Sequence, residues 1–112
     1  MIGLPSIKVL MDIEIVIERI RKEWDIEDGF LGAVRYRNYY PDRLERLINV
    51  LKETTIQDEI YVERELVRLL WFIPLFLEWQ KPSFQEAGQD SIILNSAINR
   101  VLEELYRILG VP

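Results

Sequence analysis

The groups in this sequence that could carry out chemistry are carboxylates. Glu14 with Glu18, and Glu59 with Glu63, stand four residues apart, which places each pair on one face of a helix. Such pairs suit acid–base work or a di-metal site. The helical di-iron pattern also needs Glu-x-x-His motifs, and the chain contains no histidine. Arg21 and Lys22 offer ordinary ion-pair partners nearby, so these carboxylates read as solvated helix faces. A denser cluster, Glu23, Asp25, Glu27 and Asp28, raises the question of calcium. With Asp25 as the first position of an EF-hand loop, Gly29 falls fifth instead of sixth. Tyr36 falls twelfth, where a bidentate Glu is required. The cluster reads instead as a solvated corner that starts a helix, where carboxylates are favoured, or as a docking patch for a basic partner.

The missing residue types exclude more than the present ones suggest. Without cysteine there are no disulfides and no thiolate-bound zinc. Without histidine the chain lacks the commonest general base and the partner that serine or cysteine nucleophiles need. No glycine-rich phosphate loop with its lysine is present. A carboxylate-based hydrolase would need a deep cleft holding two converging acids. The expectation is a non-enzyme with no cofactor and no metal.

Binding chemistry is better represented. Arg35-Tyr36-Arg37-Asn38-Tyr39-Tyr40 sets three tyrosines and two arginines in six residues. Tyr and Arg dominate binding hot spots, and basic residues interleaved with aromatics can also stack single-stranded nucleic acid. The alternative is structural: tyrosines filling the core with their hydroxyls at its rim. The formal charge of −5, from 19 acidic and 14 basic residues, argues against a phosphate backbone as partner. It would steer in a basic protein, although ordinary solubility requires a similar charge. A further aromatic group, Trp71, Phe72, Phe76 and Trp79, could line a ligand pocket but reads as core filling, with Trp79-Gln80 able to reach the surface and join an interface.

These residues need elements to hold them. At 112 residues, 49% of them hydrophobic and 29% charged, the chain suits one globular domain. A chain of this size buries roughly two-thirds of its unfolded surface. Val9, Leu10, Ile13, Ile17, Ile20 and Trp24 step by three and four and predict a helix over 7–24, with Ser6 as a possible cap. Alternation from Met11 to Ile17 offers a competing strand, which the helical stripe and the charged run after it outweigh. A short second helix to about Arg37 would bury Phe30, Leu31 and Val34, and Asn38 to Pro41 breaks it. Pro41 then opens a third helix carrying Leu44, Leu47, Ile48 and Leu51. After a loop at Thr54 to Gln57, with Asp58 as cap, a fourth helix spans 59–73. Its run Leu69 to Leu77, apolar on every side, predicts the central buried element, interrupted at Pro74. Lys81 to Gln89 reads as the longest loop. Asp90 or Ser91 caps a last helix whose buried face includes Leu94, Ile98, Val101 and Leu105, and which stops at Gly110.

The fold expected is all-α, one bundle of about five helices around the proline-interrupted one. The longest apolar run has nine residues, against the roughly 20 needed to cross a bilayer. Met1 to Pro5 is too short and uncharged for a signal peptide. A cytoplasmic protein is expected, with no membrane or nucleic-acid partner.

Trp24 followed by Asp28-Gly29-Phe30-Leu31 and Arg35 leads into the Tyr-rich loop and a leucine helix. Leu69-Leu70-Trp71-Phe72-Ile73-Pro74 ends in Glu78-Trp79-Gln80, and the chain closes on Leu109-Gly110-Val111-Pro112. Together these stretches resemble the small helical immunity proteins of bacterial polymorphic-toxin and contact-dependent growth inhibition systems. The resemblance implies a non-catalytic protein that binds a cognate toxin domain and blocks its active site. The toxin would in many cases be a basic nuclease. It carries no site pattern, so the expected contact residues come from their chemistry alone. Asp25, Glu27 and Asp28 would steer the partner, and Tyr36, Arg37, Tyr39 and Tyr40 would anchor it. A monomer or weak homodimer is expected. A structural or regulatory subunit with no toxin partner is the competing reading.

Overall fold

The computed structural model describes residues 13–56 and 62–110. The proposed caps Ser6 and Asp58, the first turns of the first and fourth predicted helices, and Glu59 lie outside them. The described residues form six helical segments and no strand: α1 (Ile13–Lys22), α2 (Phe30–Arg35), α3 (Pro41–Glu53), α4 (Arg64–Trp79), α5 (Lys81–Glu86) and α6 (Ile92–Leu109). The all-α expectation holds.

Each helix buries the stripe that its spacing dictates. α1 turns Val16, Ile17 and Ile20 inward. Helical spacing therefore prevails over the β-branched alternation, because only one side of this segment meets a core. Tyr40 is extended, and Pro41 takes the first helical position of α3, where its missing N–H costs nothing. Leu44, Leu47, Ile48 and Leu51 then face inward. At the other end of α3, Arg107 of α6 donates to the carbonyls of Leu51 and Thr54 at 2.7 and 3.0 Å. It thus satisfies acceptors that a helix end leaves open. α6 stops at Gly110, whose φ of +87° suits a residue without Cβ and whose N–H donates to the Tyr106 carbonyl. Asp90, one residue ahead of Ser91, accepts from the Ile92 N–H at 2.9 Å.

α4 is the hub, packing against α1, α2, α5 and α6, while α3 closes the bundle against α1, α2 and α6. Leu66, Leu70, Ile73 and Leu77 are fully buried along its inner face. Pro74 lies inside the helix and cannot donate to the Leu70 carbonyl, yet the helix continues to Trp79. Two expectations are corrected. Lys81 to Gln89 is not a loop throughout. Pro82 sits in the first turn of α5, which buries Phe84 against the core. The outer face of α4 is not buried either: Trp71, Phe72, Leu75 and Trp79 are 44%, 38%, 51% and 61% exposed. The neighbouring helices cover only one side of α4, so its all-round apolarity leaves a hydrophobic stripe in solvent.

Candidate binding surface

The acidic corner between α1 and α2 is wound tightly around one residue. Glu23, expected in a solvated cluster, is only 2% exposed. Its carboxylate accepts the Phe30 N–H at 3.1 Å, at the start of α2. It also accepts two hydrogen bonds from Arg46 of α3, at 2.9 and 3.1 Å. Its backbone carbonyl takes the N–H groups of Leu31 and Gly32 at 2.8 and 3.0 Å. The chain can close in this way because residues 29 and 32 are glycines. A Cβ on Gly29 would stand 2.2 Å from the Glu23 carbonyl oxygen, and one on Gly32 would stand 2.1 Å from that of Asp25.

The expected steering residues sit on top of this knot. Asp25 turns its carboxylate inward along the chain, accepting the N–H groups of Glu27 and Asp28 at 3.1 and 2.8 Å. Arg46 also donates to the Asp28 carbonyl. Glu27 and Asp28 are exposed, and neither side chain makes an ion pair among the described residues. Both carboxylates therefore project from a backbone that is already fixed.

The tyrosine tract is divided by the fold. Tyr40 lies beside the acidic corner: Arg43 stacks 4.3 Å above its ring and donates to the Gly29 carbonyl at 3.2 Å. Tyr36, at the end of α2, is 57% exposed. Tyr39 is half-buried, its ring meeting Phe30 edge-on at 5.3 Å. Burial raises its phenol above the usual value of 10.0, partly offset by the charge of Arg100. Arg37 adopts φ +69°, a left-handed conformation that more often falls to glycine at a helix end. Its guanidinium donates to Ser83 at 2.8 Å, and its carbonyl accepts from Gln89 at 2.9 Å. Arg37 is thus committed to holding α5, and Tyr39 to packing. Tyr36 and Tyr40 are the residues of the tract that face solvent with ring area to offer.

A second surface runs along α4. Trp24 stacks on Phe72 at 5.4 Å and meets Phe76 edge-on at 4.7 Å, while Phe72 meets Trp79 at 5.8 Å. Arg35 lies over the Trp24 and Phe76 rings, 5.7 and 5.2 Å from their centroids. A shallow groove of about 470 Å³ runs beside Arg68, Trp71, Phe72 and Leu75. Of the aromatics expected to fill the core, Phe76 does so and Trp71 and Phe72 do not, while Trp79 reaches the surface as expected. The signal for this surface was present in the sequence as a second apolar stripe, one face round from the first.

Among the described acids only Glu23 is buried, and its carboxylate is held by Arg46 and the Phe30 N–H. No group of three or more acidic side chains among the described residues could hold a metal ion. No described helix is long and apolar enough to cross a membrane. Compared with known protein families, curated proteins and solved structures, the chain matches none.

Proposed function

We propose that this chain is a non-catalytic immunity protein. In this reading it acts in the cytoplasm, where it binds a cognate bacterial toxin domain, most naturally a basic nuclease, and blocks its active site. The observation that carries the reading is the acidic corner. Glu27 and Asp28 present carboxylates without ion pairs among the described residues, from a backbone fastened by Asp25, Glu23 and Arg46. Fixed acceptors lose little freedom when a cationic partner arrives, so more of the attraction appears as affinity. The negative field of the whole chain adds speed and selectivity to the encounter. Tyr40, held against the same corner by Arg43, supplies a rigid aromatic contact beside the charges, and Tyr36 adds another at the end of α2.

Affinity capture of the tagged protein from its native lysate tests this reading. Recovery of one basic toxin domain in stoichiometric amount is the expected result. Recovery of the chain alone, or of a large stable assembly, would favour a structural subunit instead.

A further inference from the structure

The outer face of α4 follows a rule that the inner face does not need. Glu65, Arg68, Phe72, Leu75 and Trp79 step by three, four, three and four residues. That is the spacing of a seam between two packed helices. The inner face already has its own seam, Leu66, Leu70, Ile73 and Leu77, all fully buried. α4 therefore carries two helix-packing seams, and the described helices use one.

We propose that the second seam pairs with the same seam of a second copy of this chain, antiparallel, about a two-fold axis near the midpoint between Phe72 and Leu75. Three observations select this occupant. The first is polarity along the seam. Its N-terminal end carries Glu65 and Arg68, and its C-terminal end carries Trp79. Antiparallel pairing about that axis sets Phe72 against Leu75 of the second copy and, at both ends, Arg68 against Trp79. A guanidinium on an indole face is a favourable contact. Parallel pairing would set Arg68 against Arg68, like charge on like, while Glu65 is already paired with Arg21 of α1.

The second observation is area. At their exposures, Trp71, Phe72, Leu75 and Trp79 offer on the order of 400 Å² of apolar surface, the size at which a patch on a monomer commonly has a use. Two copies with their polar rims would bury roughly 1,000 Å², the lower bound for a specific interface, so the dimer is weak and exchangeable. The third is order. Phe72 is braced by Trp24 and Trp79, so the seam is built before a partner arrives. A self-complementary face of this kind closes as a two-fold dimer and does not propagate.

The test uses the purified full chain alone, so its outcome does not depend on any toxin. Sedimentation across a range of concentrations should show a reversible monomer–dimer equilibrium. Leu75→Glu changes an exposed side chain and so leaves the monomer folded. It should raise the dissociation constant about tenfold or more, as charging a central anchor does. Orientation is read by single-cysteine variants, which report cleanly because the chain has no cysteine of its own. A mixture of Arg68→Cys and Trp79→Cys should form a disulfide-linked dimer that neither variant forms alone. The mixed pair still retains one Arg68–Trp79 contact. A monomer at every concentration, a dimer indifferent to Leu75→Glu, or Arg68→Cys cross-linking to itself as readily as in the mixture would each overturn the proposal.

Discussion

Arg46 on α3 grips Glu23 at the end of α1 through two hydrogen bonds of 2.9 and 3.1 Å. The same carboxylate accepts the first N–H of α2. One buried acid therefore joins three helices at the point from which the acidic corner projects. Glu23→Ala would strand the Phe30 N–H and leave Arg46 without its partner. The expected loss of stability is about 2–3 kcal/mol, less than for a fully buried pair because Arg46 is half exposed. Chemical denaturation reads it, and an unchanged midpoint would mean that the knot is not what holds the corner.

Gly32 makes a separate prediction. A methyl group there meets the Asp25 carbonyl oxygen at 2.1 Å, and because the obstacle is backbone, no flexible side chain can move aside. Gly32→Ala should cost at least about 2 kcal/mol and lower the melting temperature by several degrees, although alanine is the better helix former. If the substitution stabilised the protein, the close approach of α2 to the Asp25 turn would be wrong.

Tyr39 should ionise above 10.0, because its ring is half-buried against Phe30. A phenol whose pKa is raised by folding contributes stability that is fully present below the unfolded value. That contribution is lost as pH rises through the folded value. Stability should therefore decline in alkali above about pH 10, and Tyr39→Phe should remove that part of the decline. Ultraviolet titration should show one late phenol that is absent from the variant. The same late phenol in Tyr39→Phe would assign it elsewhere.

Much of the fold could be read from the sequence because it rests on local rules. Pro41 had to open α3, Gly110 had to end α6, and the three-and-four spacing of Leu44, Leu47, Ile48 and Leu51 had to face a core. The misreadings arose where position in the bundle decides. Glu23 looks like its neighbours Asp25 and Glu27 in sequence. Its burial follows from Arg46, 23 residues away. The aromatics of α4 looked like core because two apolar stripes overlap on one helix. Spacing alone does not say that α6, α1 and α2 cover only one of them. Arg37 and Tyr39 were legible as unusual residues, but their use in holding α5 and packing on Phe30 depends on contacts distant along the chain.

Glu27 and Asp28 together should govern how fast a basic partner arrives. Reversing both to Lys removes two exposed carboxylates that carry no ion pair among the described residues, so folding should change by no more than about 1 kcal/mol, the loss coming from the attraction between Asp28 and Arg46. Association with the toxin should slow by about tenfold or more at low salt, and its dependence on salt should flatten. Stopped-flow mixing at two ionic strengths measures both. An unchanged association rate would remove this corner from the interface.

The central claim is that the chain silences a toxin by binding it. Its most direct test is a titration of the catalytic activity of the captured toxin domain with the purified chain. The account predicts that activity falls linearly and ends at equimolar protein. Full activity at a large molar excess of the chain would contradict it.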